Sequence, residues 1–181
     1  MSAQRVTKGL AAAIGMAIAA GTQAVPVTYY GHLDGASESP PNGSSASGST
    51  LVVFDSVAHT LRVAVDFSGL GSNDTAAHIH CCTTDPFTST APVATQTPSF
   101  AGFPVGVTAG SYDHVFDTTQ AATFSASFIT ANGGTTAAAE AALATGMAAG
   151  RAYLNIHTTN WPGGEIRSFL FKDKVFDDGF D

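Results

Sequence analysis

Residues 50–67 read TLVVFDSVAHTLRVAVDF, and this stretch decides the fold class. Its first half is mostly apolar, and residues 56–60 have the composition of a turn. Its second half alternates small or polar residues with four large apolar ones, a period of two that is typical of a half-buried strand. The stretch therefore predicts a β-hairpin whose buried face carries Leu61, Val63, Val65 and Phe67.

Short strands are indicated on both sides of this hairpin, separated by loops rich in Gly, Pro, Asn and Asp. Only Thr136 to Met147 is typical of a helix, because it is Ala-rich, follows a Thr pair suited to capping and meets glycines at its end. About seven or eight short strands among nine candidate segments, with one short helical insertion, predict an all-β protein, a Greek-key β-sandwich or flattened barrel. The other predicted strands are residues 29–33, 75–82, 93–97, 111–117, 122–130, 151–157 and 165–171.

Composition limits the number of domains and the classes of partner. The chain has 181 residues, of which 44% are hydrophobic and 12% are charged, so we expect one domain with one core. Seven Lys and Arg against fourteen Asp and Glu give a formal net charge of −7, and no basic cluster is present. A nucleic acid or an anionic membrane surface is therefore excluded as the expected partner, because the electrostatic attraction is missing.

The first residues have the pattern of a signal peptide. Arg5 and Lys8 precede an apolar run at residues 9–20, which small and polar residues follow. The alternative is a membrane anchor, but a spanning helix needs about 20 apolar residues and this run is shorter. We expect cleavage near Ala24 and a mature chain that is exported, either periplasmic or secreted.

This interpretation divides the chain into three parts. Residues 1–24 are the predicted signal peptide, residues 25–171 the predicted β-sandwich domain, and residues 172–181 an acidic C-terminal tail. Past the signal peptide, we find no apolar segment long enough to span a membrane in the mature chain.

The triplet His78-Ile79-His80 is the most informative chemical pattern. Alternate side chains of a strand share a face, so both imidazoles point to the same side of the predicted strand. A transition metal needs at least one more ligand from another strand, and His157 is the best candidate. Asn155 shares the predicted face of His157. The alternative is that these histidines are surface groups or hydrogen-bonded within the fold.

Two adjacent cysteines follow the triplet, and the sequence leaves several chemical states open for them. In an oxidising compartment Cys81 and Cys82 form a strained disulfide with each other, form bridges between molecules, or bind a soft metal ion as thiolates. If the strand continues, Cys82 shares the face of the histidines and becomes a candidate fourth ligand, as does Cys81. The remaining alternative is two small buried residues without a chemical role.

A charged pair lies near the end of the chain. Glu165 and Arg167 share one face of a predicted strand, and we expect them either to pair with each other or to orient His157. With Asn155 they form the predicted surroundings of the metal. Glu38 is expected to hold a loop.

Four ordered motifs identify a family. They are LDGASESPP at residues 33–41, AHIH at 77–80, YLNIHT at 153–158 and PGGEIR at 162–167. In these motifs the sequence resembles the CHRD (chordin-domain) family over most of the predicted mature chain. The resemblance implies a β-sandwich module of extracellular proteins, many of them bacterial.

A fainter resemblance is to copper/zinc superoxide dismutase. The matching positions are His78, His80 and His157 for the copper ligands and Arg167 for the cation that guides the anion. This resemblance implies a superoxide-dismutase-like Greek-key barrel and a copper site. The zinc loop and the separated disulfide cysteines of that enzyme have no counterpart here.

Three hypotheses of function follow. The first is an exported CHRD-domain protein that binds a transition metal, with copper favoured and zinc possible, and without catalysis. The second is a copper-dependent redox enzyme of the superoxide dismutase type. The third is a structural or adhesive extracellular module without metal. No protein partner is indicated, and we find no catalytic triad signature and no phosphate-binding loop in the sequence.

Overall fold

The computed structural model describes residues 25–172. The predicted signal peptide at residues 1–24 lies outside the described residues, as does all of the predicted tail after Lys172. Helices long and apolar enough to cross a membrane do not occur between residues 25 and 172.

Eight strands and two α-helices make up the described fold, which confirms the all-β class with a short helical insertion. The two helices follow one another between the fifth and sixth strands, after a single 3-10 turn at Ala121–Thr123. The strands are β1 (Val27–Asp34), β2 (Ser47–Asp55), β3 (Thr60–Ser68), β4 (Asp74–Cys81), β5 (Gly110–Asp117), β6 (Ala152–Thr158), β7 (Ile166–Phe169) and β8 (Phe171–Lys172), and the helices are α1 (Ala126–Ala131) and α2 (Thr136–Ala148).

All eight strands belong to one curled antiparallel sheet, which forms a flattened half-barrel. The strand order is β4-β6-β7-β1-β2-β3-β5, and β8 pairs with β1. The predicted hairpin is β2 and β3, which pair in register from Ser47 with Ser68 to Asp55 with Thr60. The sheet therefore places β4, β6, β7 and β1, which are distant in sequence, side by side.

The core lies inside the curl of the sheet. The four alternating apolar side chains of β3 are at most 4% exposed, as the period of two predicts. Full burial of one such side chain contributes about 1.5–3 kcal/mol before conformational entropy is subtracted. Phe100 and Phe103, from the long connection between β4 and β5, pack against Tyr112 of β5 and complete this core.

The helical insertion is longer than predicted. The strand predicted at residues 122–130 is wrong, because this segment forms the 3-10 turn and α1. Ser125 caps α1 by accepting a hydrogen bond from the Phe128 N–H, and Thr135 caps α2 in the same way. The strand predicted at residues 93–97 is also wrong, because this segment makes only isolated bridges.

Candidate metal centre

The strand register brings the histidines of β4 to the same side of the sheet as the end of β6. His78 lies opposite Asn155, and His80 lies opposite Tyr153. Paired residues share a face, and successive residues of a strand alternate between faces. His157, two residues after Asn155, therefore lies on this side as well. We call this side of β4, β6, β7 and β1, which points away from the core, the polar face.

The side chains of His78, His80 and His157 form one cluster. One ring nitrogen from each residue lies within 4.8 Å of one ring nitrogen from each of the others. The ring centroids are 5.3 to 5.8 Å apart. A metal ion holds imidazole nitrogens at about 2.0–2.1 Å, so its ligand atoms are at most about 4.2 Å from each other. The 4.8 Å bound on the cluster lies about 0.6 Å above that limit, so an ion bound by all three residues needs the rings slightly closer together.

Each imidazole of the cluster donates one ring N–H to a backbone carbonyl. A carbonyl oxygen only accepts, so each contact determines which ring nitrogen carries the proton. Metal-binding histidines commonly have such a backbone or carboxylate partner. The contacts are His78 Nε2 to Pro98 O at 2.7 Å, His80 Nδ1 to Ala91 O at 2.9 Å and His157 Nδ1 to Pro162 O at 3.0 Å.

The other nitrogen of each ring is buried and has no hydrogen-bond partner. These atoms are His78 Nδ1, His80 Nε2 and His157 Nε2. A buried polar atom without a partner costs about 1–3 kcal/mol, so three of them in one cluster require an explanation. A cation bound between the rings provides one, because it accepts a lone pair from each nitrogen. The residues present therefore fit a metal ion with imidazole ligands.

Burial keeps these imidazoles in the uncharged form that binds metal. It lowers the pKa of both His78 and His80 to about 4, and their backbone carbonyl partners only partly oppose this. Nearby positive charge, including that of a protonated His157, lowers both pKa values further. The pKa of His157 is lowered by burial too. At neutral pH all three rings are therefore neutral ligands that need not release a proton to bind metal.

A stack of planar groups extends from the cluster along the polar face. The ring of Tyr153 lies parallel to the ring of His80, with centroids 4.8 Å apart and planes 5° apart. The guanidinium carbon of Arg167 lies 4.8 Å from the centroid of the same tyrosine ring. The Tyr153 hydroxyl and His80 Nδ1 both donate to the carbonyl of Ala91. Tyr153 therefore restrains the His80 ring in two ways. Its own ring stacks on that of His80, and its hydroxyl binds the same carbonyl that accepts from His80.

Arg167 is buried and helps to hold the fold together. It is 4% exposed, and it donates through Nε to the carbonyl of Ser37 and through Nη1 to that of Ser89 at 3.0 Å. Arg167 therefore holds two loops against the polar face. That it guides an anion stays a prediction.

Glu38 is the charged partner of Arg167, and the sequence interpretation underestimated it. Its Oε2 lies 3.9 Å from Arg167 Nε, and both of its oxygens accept from Asn155 Nδ2 at 3.2 and 3.3 Å. Burial raises the pKa of Glu38 to about 7, although Arg167 and Asn155 oppose this. The predicted Asn155 therefore lies next to the cluster but binds a carboxylate that was expected only to hold a loop. The sequence did contain a signal for the importance of Glu38, because this residue belongs to the motif at residues 33–41.

Glu165 does not orient His157 and does not pair with Arg167, so both predictions for it are wrong. The carboxylate is fully buried and accepts three hydrogen bonds. The donors are the hydroxyl of Ser44 at 2.6 Å, the N–H of Gly71 at 2.7 Å and the hydroxyl of Thr158 at 2.8 Å. Glu165 therefore joins two loops to the end of β6 and is a structural carboxylate.

The two cysteines are bonded to each other, which corresponds to the first of the forms considered for them. β4 ends at Cys81, so Cys82 does not continue the strand that carries the histidines. Both sulfur atoms pack so closely against Gly146 of α2 that a Cβ there would clash with them. The metal-ligand group found among residues 25–172 contains the three histidines and no sulfur. The structure therefore does not place Cys81 or Cys82 as the fourth ligand.

The other described histidines lie outside the cluster. His59 is in the turn between β2 and β3, and its Nδ1 contacts the carboxylate of Glu140 in α2 at 3.0 Å. His32 of β1 and His114 of β5 are exposed on their strands. Neither residue joins the group of possible metal ligands.

Comparison with known proteins identifies one family. The family model described as the CHRD domain matches residues 29–170, which include the whole histidine cluster. No curated protein and no solved structure shows significant similarity to the chain.

Proposed function

Because the chain belongs to the CHRD-domain family, we propose that it is an exported member whose function is to bind a transition metal, with copper favoured, through His78, His80 and His157. One observation carries this proposal. Each of the three clustered rings has one buried nitrogen without a hydrogen-bond partner, while the opposite nitrogen of the ring donates to the backbone. A metal ion satisfies all three at once.

Copper is favoured over zinc by affinity and not by geometry. Imidazole suits both ions, and the Irving–Williams order gives Cu²⁺ the higher affinity for a given nitrogen site. With the cysteines bonded to each other, the argument for Cu⁺ from thiolate ligands no longer applies. The proposal therefore concerns Cu²⁺ held by three neutral imidazoles, with zinc as the competing ion.

Metal analysis of the purified mature chain tests this proposal. The metal-free protein is dialysed against equal, limiting amounts of Cu²⁺ and Zn²⁺, and bound metal is measured by mass spectrometry. We expect close to one copper per chain and electron paramagnetic resonance showing coupling to imidazole nitrogens. His80→Ala should remove stoichiometric copper.

His114→Ala is the matched control, because His114 is an exposed histidine outside the cluster. It should bind copper like the parent protein. Copper retained by folded His80→Ala, or lost equally from both variants, would contradict the site. Zinc bound in preference to copper would support the histidine site but contradict copper as its metal.

Export is supported by residues 1–24 alone, which have the charge and apolar pattern of a signal peptide. Expression of the full chain in a Gram-negative host, followed by fractionation and N-terminal sequencing, tests it. We expect mature protein in the periplasm or the medium beginning near Val25. A cytoplasmic product that retains Met1 would contradict export.

A further inference from the structure

The polar face carries a second concave feature beside the histidine cluster. A cavity of about 870 Å³ is formed by β1, β2, β7, β8 and the loops that cover them, and none of the three clustered histidines lines it. Ligand-binding clefts typically measure about 300–1,000 Å³. Arg167 lines this cavity and also contacts Tyr153, so the cavity and the histidine cluster are separate neighbours on one face.

Aromatic rings form one wall of the cavity. Phe87 and Phe171 stack with centroids 4.9 Å apart and planes 6° apart, and Phe169 meets Phe87 edge to face at 5.9 Å. Although they are large and apolar, Phe87 is 50% exposed and Phe171 is 51% exposed. Tyr30 lines the same cavity and is 44% exposed. Exposed large apolar groups that converge on one cavity indicate a binding surface.

The loop that carries Phe87 is held firmly in position. Phe87 and Ser89 have positive φ angles of 57° and 64°, which non-glycine residues rarely adopt. The Phe87 N–H donates to the Gly150 carbonyl at 2.8 Å, and the Phe87 ring lies so close to Gly150 that a Cβ there would clash with it. The Ser89 carbonyl accepts from Arg167. Strained backbone held in this way is concentrated at functional sites, and here both residues line the cavity.

The rest of the wall is polar but has little net charge. Asp34 and Glu38 face the cavity together with Arg167, and Glu38 has a pKa of about 7, so acid and base roughly balance. A phosphate or a polyanion meets carboxylates here, and a cation meets a guanidinium. Several of the remaining lining residues carry hydroxyl groups and are not buried, namely Ser37, Ser39, Ser49, Thr88 and Ser89.

We infer that this cavity binds a neutral oligosaccharide. A sugar ring has an apolar C–H face that packs on an aromatic ring, and a rim of hydroxyls that both donate and accept hydrogen bonds. The cavity offers both kinds of surface, exposed aromatic rings and hydroxyl-bearing side chains. The inference does not depend on metal, because its residues are not the histidines.

Binding of uncharged hexasaccharides to the metal-free mature chain tests the inference. The probes are cellohexaose, maltohexaose, xylohexaose, laminarihexaose and chitohexaose, with hexagalacturonate as the acidic probe, titrated by isothermal calorimetry. We expect at least one neutral probe to bind and hexagalacturonate to bind at least tenfold more weakly. Phe171→Ala and Phe171→Leu should each weaken the neutral probe at least tenfold, while Phe171→Tyr retains affinity.

Two matched controls separate this site from the other features. Val115→Ala changes an equally exposed apolar residue on β5 outside the cavity and should bind the probe normally. His157→Ala should lose metal but keep sugar binding, so the two proposals fail independently. The inference is overturned if no neutral probe binds at millimolar concentration, if hexagalacturonate binds best, or if Phe171→Leu binds as well as the parent protein.

Discussion

Glu165 and the histidine cluster are both buried polar groups next to β6, and they differ in how many of their hydrogen bonds are made. The carboxylate of Glu165 accepts three short hydrogen bonds, two from loops and one from the end of β6. Each histidine makes one hydrogen bond to the backbone and leaves its second nitrogen buried and unpaired.

The difference shows how a structural polar group can be told from a binding one. A fully satisfied group already has its favourable interactions within the chain, so it stabilises the fold and has nothing to offer a ligand. A group left unpaired in a buried place costs stability until something binds to it. The comparison predicts opposite responses to mutation at the two places.

Glu165→Ala should have the largest effect, a loss of about 3 kcal/mol or more in the free energy of unfolding. It removes three hydrogen bonds to a charged group and leaves the donors of Ser44, Gly71 and Thr158 unpaired. Urea denaturation of the metal-free chain measures it. Glu165→Gln, which keeps the shape, should cost less. A loss below about 1 kcal/mol for Glu165→Ala would remove the contrast with the histidines.

The pH dependence of stability should also separate the polar groups. His78 and His80 have pKa values of about 4 when folded and 6.5 when unfolded, so their contribution is present above pH 6.5 and is lost as the pH falls toward 4. The contribution of Glu38 to stability changes with pH in the opposite direction. Its pKa of about 7 exceeds the ordinary 4.5, so its contribution is present below pH 4.5 and is lost as the pH rises through 7.

Between pH 6.5 and 5 the two histidines change the free energy of unfolding with pH more than the one carboxylate does. The free energy of unfolding of the metal-free chain should therefore fall by on the order of 1 kcal/mol per pH unit as the pH decreases. Glu38→Gln removes the opposing group and should make this slope steeper. Urea denaturation at several pH values measures both slopes. An unchanged slope in Glu38→Gln would show that Glu38 does not hold a proton in the folded state.

Tyr153→Leu should weaken metal binding about tenfold, since partners that orient a ligand commonly contribute 10-fold to 100-fold to metal affinity. The substitution removes the ring that stacks on His80. Tyr153→Phe keeps the ring and should stay within about threefold of the parent protein. Competition with a chelator of known affinity measures the three proteins. Equal affinities for the Leu and Phe variants would show that the stack does not position His80.

His157→Ala should have the smallest effect on the metal-free chain, less than about 1 kcal/mol in the free energy of unfolding. The lost hydrogen bond to Pro162 is offset because an unpaired buried nitrogen is removed as well. If the proposed site binds copper, copper should raise the melting temperature of the parent protein, and the same substitution should abolish this increase. Thermal unfolding with and without copper tests both statements. A large loss of stability without metal would make His157 a structural residue like Glu165.

Most strands and the shared face of His78 and His80 could be predicted because they depend on local periodicity. Residues 122–130 could not, because their many β-favouring residues are overridden by the Ser125 cap and the burial of Phe128. The partners of Glu38 and Glu165 lie far away in the sequence, at separations of 94 to 121 residues for the loops that bind Glu165. No local pattern records such contacts.

The sequence by itself determined the all-β class, the family and the two histidines of β4, because alternation along a strand and ordered motifs are local properties. The sequence named His157 as the candidate third ligand, and only the tertiary structure decided that it reaches the other two, that Arg167 binds Glu38 and two loops, and that the cysteines bond to each other away from the cluster. The physical reason is strand order. β4, β6, β7 and β1 become neighbours through hydrogen bonds between distant segments, and these pairings determine which side chains meet.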